Sequence, residues 1–317
     1  MRAYRRSGRT FRRLAVTAGL VVLVASACSS ADDPSDDAPT IVVTTGVWGD
    51  VVSNVVGDDA TVEVVIPIGA DPHDYAPSSQ QVASMQEADL VVANGLGLEE
   101  GLEDVLSAIG EDGGAVIELA PQLDPQPFSG DGHADDHEGE DHDGDDPHVW
   151  MDPVRVADAA MLVAEALEAV TPGAWIERAD TYASEVLAAH EGAVETFGTL
   201  APDTRKLVTS HDALGYFADR YGFTIVGVVI PGGSTLADPS SAEIAELVET
   251  MERESVTTIF GETSSSSTLA EVVAAELGEE VSVVELYTGS LGEPGSGADS
   301  VIGMIETNAR LIVDALG

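Results

Sequence analysis

Three of the seven histidines in this 317-residue chain stand in short turn-forming contexts, not on an apolar helix face. His73 lies in GADPHDYAPS, His148 in DPHVWMDP and His211 in VTSHDALGYFADRYG. Neutral imidazole is a favoured donor for zinc and its first-row neighbours, and three such nitrogens plus a fourth position make a tetrahedral site. The flanking acids Asp71, Asp74, Asp146, Asp152 and Asp212 are candidates to orient the rings from behind. His190 differs, because it falls inside a helical pattern and reads as a structural residue.

The other three histidines, His133, His137 and His142, occur in SGDGHADDHEGEDHDGDDPH, where nine acids crowd between Asp131 and Asp146. A stretch with so few apolar residues cannot form a core of its own. Histidines interleaved with carboxylates bind zinc weakly and adaptably, so an auxiliary metal-collecting role is expected of this loop.

The elements that must position these residues alternate between short β-rich runs and longer helical patterns. Strands are expected at 40–45, 61–66, 89–93 and 115–119, and again at 205–210, 223–229, 256–260 and 281–286. Near-continuous Val/Ile runs suit parallel strands buried on both faces beneath helices. Between the two sets, 153–200 lacks strand character. Its second half, 174–200, places Ile176, Ala179, Ala183, Val186, His190, Val194 and Phe197 at helical spacing, a rod roughly 40 Å long. PSSQQVASM from Pro77 lines up with PSSAEIAEL from Pro239, and each copy carries a capping box, Ser78 with Gln81 and Ser240 with Glu243. An internal duplication follows, and with it an α/β fold of two α/β lobes with mainly parallel sheets joined by a long rigid α-helix. All three candidate histidines then fall at strand ends or helix starts, where open α/β sheets bind ligands.

Six of the 13 basic residues lie within the first 13 positions, followed by the apolar run LAVTAGLVVLVASA. That run is shorter than the roughly 20 residues a membrane-spanning helix needs, and reads as an export signal. Ala25-Ser26-Ala27 before Cys28, the chain's single cysteine, resembles a bacterial lipoprotein box. The expected organisation is therefore a signal over 1–27, a flexible tether over 28–39, a first lobe over 40–172 with the acidic loop 129–147, a linker helix over 173–200 and a second lobe over 201–317. Outside the signal, seven basic residues face 57 acids, a surface that repels nucleic acid and attracts cations.

DPHDYAPS, DPHVWMDP, SHDALGYFADRYG, IFGETSSSSTLAEVVAAELG and LYTGSLGEPGSGADSVIGMIETN, in this order, resemble the cluster A-I (cluster 9) solute-binding proteins of metal ABC importers, the ZnuA/TroA-like family. The resemblance implies two lobes around an inter-lobe cleft and carries the ligand role onto His73, His148 and His211. It implies a monomeric receptor outside the cell, lipid-anchored through Cys28 to the outer face of the membrane, which hands its ion to an ABC importer permease. A histidine at 211 and the His-rich acidic loop point to Zn²⁺ as the transported ligand in preference to Mn²⁺; a manganese receptor is the alternative. Relatives often carry an aspartate where Gly289 stands, which leaves the fourth donor open between water and Glu262. Three histidines with an open position also serve catalytic zinc. The chain has no HExxH helix and no obvious general base paired with the histidines, although Glu262 could serve as one, so a zinc hydrolase is the lesser reading and no enzyme is expected. A surface adhesin is a third reading, supported only by the lipid anchor.

Overall fold

The computed structural model describes residues 38–128, 144–278 and 281–317. Cys28, the signal and tether, and His133, His137 and His142 lie outside the described residues. The first sheet comprises β1 (Thr40–Val43), β2 (Thr61–Val64), β3 (Leu90–Ala93) and β4 (Val116–Glu118), all parallel, in the order β2-β1-β3-β4. The second comprises β5 (Lys206–His211), β6 (Thr224–Ile230), β7 (Thr258–Glu262) and β8 (Ser282–Leu286), again parallel, in the order β6-β5-β7-β8. The two orders are the same, as a duplicated unit requires. Helices α1 (Gly46–Val56), α2 (Ser79–Glu87) and α3 (Glu103–Glu111) connect the first set of strands, and α6 (Gly215–Tyr221), α7 (Ser241–Glu254) and α8 (Thr268–Leu277) the second.

The expected duplication of the helix start is seen atom by atom. Ser78 accepts from the Gln81 backbone N–H while the Gln81 side chain reaches back, and Ser240 does the same with Glu243. Both α2 and α7 thereby satisfy N–H groups that a helix start leaves without partners.

Pleating sorts the core. Ile41, Val43, Leu90 and Val92 point into a core shared with Leu207 and Phe260 of the second lobe, whereas their neighbours Val42, Val91 and Ala93 face a separate cluster with Met85, Leu102 and Ile109. Val208 and Ile259 likewise face Leu247, Met251 and Val273 on the outer side of the second sheet. Alternate residues of a strand point to opposite faces, so both faces of the central strands are dry. The expectation of burial on both faces fails at the edges: β2 is largely exposed and Val64 is 42% accessible, because an edge strand has a neighbour on one side only.

Between the sheets in sequence run α4 (Pro153–Val170) and α5 (Trp175–Phe197), and α9 (Val301–Leu316) closes the chain. Helix α5 packs on α4, on α1 and on α9, and its 23 residues give a length of roughly 35 Å. Its buried stripe is Trp175, Ala179, Tyr182, Val186, Ala189, Ala193 and Phe197. The expected stripe was partly misregistered: Ile176 and Val194 are exposed, while Trp175 and Tyr182 turn inward because their polar tips find Thr171 O and Asp50 Oδ2. Among the described residues no helix is long and apolar enough to cross a membrane.

Candidate metal centre

His73 sits in the loop between β2 and α2, where Asp71 Oδ1 accepts from the His73 backbone N–H at 3.0 Å. His148 precedes a single 3-10 turn that leads into α4. Its loop is pinned by Asn94 Nδ2, which donates to Pro147 O at 3.0 Å, and by Tyr216 Oη, which donates to Asp146 O at 2.7 Å. Asn94 is itself held by Trp48 Nε1, and its backbone N–H donates to buried Glu99. His211 is the last residue of β5.

The structure brings these three rings together and buries each to within 3% of complete. His148 Nε2 lies 3.3 Å from His73 Nε2 and 3.2 Å from His211 Nε2, and one nitrogen of each ring falls within a 4.8 Å cluster. Donors about 2.0–2.1 Å from a tetrahedral zinc stand ~3.3–3.4 Å from one another, so both spacings are edges of such a tetrahedron. His190 is elsewhere, on α5, with Nδ1 3.2 Å from Tyr221 Oη.

Carboxylates back two of the rings. Asp146 Oδ1 accepts from the His148 Nδ1–H at 2.7 Å, which leaves Nε2 of that ring as a bare lone pair facing the cluster. Glu262 Oε2 lies 3.0 Å from His211 Nδ1, and its other oxygen accepts from Thr288 Oγ1. Sequence reading offered Glu262 as a donor to the ion; it lies instead against the nitrogen of His211 that faces away from the cluster. Of the other acids expected to support the rings, Asp71 holds a backbone N–H, Asp74 is exposed, and Asp152 caps α4 while pairing with Arg155 and Arg220. Asp212 is buried beside His211 and favours its charged form.

The electrostatics differ from ring to ring. Burial, then the neighbouring His148 and His211, pull His73 down to about 2, so it stays neutral. Burial also opposes charge on His211, but Glu262 outweighs it and the net shift is upward. Burial would raise Glu262; His211 and Thr288 reverse this and hold it at about 2. Glu262 therefore favours the charged form of His211, the opposite of what burial does to His73.

A buried trio of imidazole nitrogens between two parallel α/β lobes defines a metal-binding protein of the two-lobed periplasmic type. The family model described as "ZnuA: Zinc-uptake complex component A periplasmic" matches residues 41–315, and the chain belongs to this ZnuA/TroA family of solute-binding proteins of ABC metal importers, which are not enzymes. The manganese-binding lipoprotein MntA of Halalkalibacterium halodurans is 28% identical over 303 residues, 94% of this chain and 96% of that one. The zinc-binding protein TroA of Treponema pallidum is 28% identical over 305 residues, 94% of this chain and 95% of that one. A solved structure of the periplasmic zinc-binding protein TroA from Treponema pallidum superposes with a TM-score of 0.74, covering 88% of this chain and 99% of that one.

Proposed function

We propose that this chain is a zinc receptor that binds Zn²⁺ at His73, His148 and His211 and delivers it to an ABC importer permease. The observation that carries the reading is the pair of 3.2 and 3.3 Å Nε2–Nε2 spacings among three buried rings. Lone pairs that close repel one another unless a cation or a proton lies between them, and the spacing is that of zinc-bound imidazoles. The relatives carry zinc in some names and manganese in others. Zinc is favoured here by the donor set: all three nitrogens are imidazole, and among the described residues no carboxylate oxygen joins the cluster. Manganese prefers oxygen-rich shells.

The sequence supports export by the segment 1–27 and a lipid on Cys28, with residues 28–39 as tether, so that a single chain works at the outer face of the membrane. The lobes would then be 40–172 and 201–317, hinged on the 173–200 helix. Competitive chelator titration of the metal-free protein tests the reading. One tight zinc per chain, lost in His211→Ala and little matched by manganese, is expected. Manganese binding as tight as zinc, or an unchanged His211→Ala variant, overturns it.

A further inference from the structure

The two capping boxes that open α2 and α7 set the copies of the repeat in register. With Ser78 opposite Ser240, His73 falls opposite Thr235, each five residues ahead of its serine. The first copy places a candidate metal ligand at this position. The second places a hydroxyl there, and it reaches across to the first lobe. Thr235 Oγ1 donates to Asp71 Oδ2 at 2.6 Å, while Asp71 Oδ1 accepts from the His73 backbone N–H at 3.0 Å. One carboxylate thus links a loop of the second lobe to the backbone of His73 in the first.

The loop that carries Thr235 follows β6, whose last residue, Ile230, stands opposite His211 in the sheet. It therefore leaves the sheet level with the cluster, and it touches the first lobe at two further points. Ser234 Oγ donates to Glu100 Oε1 at 2.7 Å. A Cβ on Gly233 would lie 2.1 Å from Phe128 Cζ, so any side chain there would displace the ring. The two hydrogen bonds differ in weight. Ser234 and Glu100 meet in exposed surroundings, where water replaces either partner at little cost. Thr235 and Asp71 meet partly buried, and a hydrogen bond to a carboxylate withdrawn from water is among the stronger ones.

Resting on the histidine site above, we propose that Thr235 is a positioning residue for metal retention: it clasps Asp71 across the lobes, and through Asp71 it fixes the His73 loop. The clasp needs both lobes in place, so it slows departure of the ion and leaves its arrival unaffected. Release requires this bond between lobes to break before His73 can turn away.

Stopped-flow kinetics on the full chain separates the two rates, with zinc association followed directly and zinc dissociation followed into excess chelator. Thr235→Val keeps the shape and removes the donor. It is expected to raise the dissociation rate about tenfold and to leave association within about twofold of native. Thr235→Ser restores the hydroxyl and should return dissociation close to the native rate. Ser234→Ala should have a smaller effect than Thr235→Val. In an Asp71→Ala background, where the relay is already lost, Thr235→Val should change nothing further. A dissociation rate that Thr235→Val leaves unaltered overturns this inference and leaves the receptor reading standing. So does an equal effect on association, an effect that Thr235→Ser does not reverse, one that persists undiminished in Asp71→Ala, or a larger effect of Ser234→Ala. Zinc binding that His211→Ala does not weaken overturns the histidine site itself, and this inference with it.

Discussion

His148 and His211 face each other through Nε2 atoms 3.2 Å apart, and behind each ring a carboxylate, Asp146 or Glu262, lies at 2.7 or 3.0 Å from the far nitrogen. The arrangement fixes which nitrogen of each ring looks inward. Removing that control while keeping shape is the direct test. Asp146→Asn and Glu262→Gln are each expected to weaken zinc by about 10–100-fold, the usual effect of a lost partner behind a ligating histidine. His148→Ala should cost far more, since it removes one of three donors. Chelator competition at fixed pH separates the two magnitudes.

Proton release on zinc binding should report the proton that Glu262 favours on His211. His211 is raised above its usual 6.5 by Glu262, whereas His73 stays neutral down to about 2. Below the raised value for His211 an ion must expel that proton, so apparent zinc affinity falls as pH falls, by about tenfold per unit for each proton displaced. Glu262→Gln lowers the His211 value, so its affinity should stay flat to lower pH than that of the native chain. Calorimetry in buffers of different ionisation enthalpy counts the protons. A release that does not diminish in Glu262→Gln would show that the proton resides elsewhere.

Much of this was legible in the sequence, for identifiable reasons. Val/Ile runs mark buried parallel strands, and all eight expected strands form, though β7 extends two residues beyond the expected end to carry Glu262. His148 and Asp146 are two residues apart, so their pairing can be read locally. The pairing of His211 with Glu262 cannot, because it depends on β5 lying beside β7: Thr209 opposes Phe260, which brings the ends of both strands level. The stripe of α5 is harder to read, because small Ala189 and Ala193 lie on its buried face while the larger Ile176 points outward.

The start of α4 is clamped to the second lobe. Buried Asp152 caps α4 through the Val154 N–H, takes Arg220 on both oxygens at 2.7 and 2.6 Å, and receives Arg155 at 2.7 Å. Arg220→Ala leaves Arg155 in place, and its partly exposed guanidinium should cost only about 1 kcal/mol. Asp152→Ala strands two guanidiniums and removes the cap, for on the order of 3 kcal/mol. Denaturant unfolding of the two variants should therefore rank them in that order; equal losses would mean that Arg220 alone carries the clamp.

Asp50 ties three helices together, and its charge is a cost. It accepts from Tyr182 Oη on α5 at 2.8 Å and from the Val301 N–H opening α9 at 3.1 Å, yet burial raises its carboxyl above the ordinary 3.8. The folded chain therefore takes up this proton at higher pH than the unfolded chain. Linkage gives the sign: the Asp50 contribution to stability is greatest below 3.8 and declines as pH rises through the raised value, levelling off beyond it. Asn at this position keeps an acceptor oxygen and carries no charge. Asp50→Asn is expected to match or exceed the native melting temperature at pH 7, and to remove part of the decline above 3.8. A variant that melts lower at pH 7 would mean that ionised Asp50 gains more from the α9 N-terminus than burial takes away.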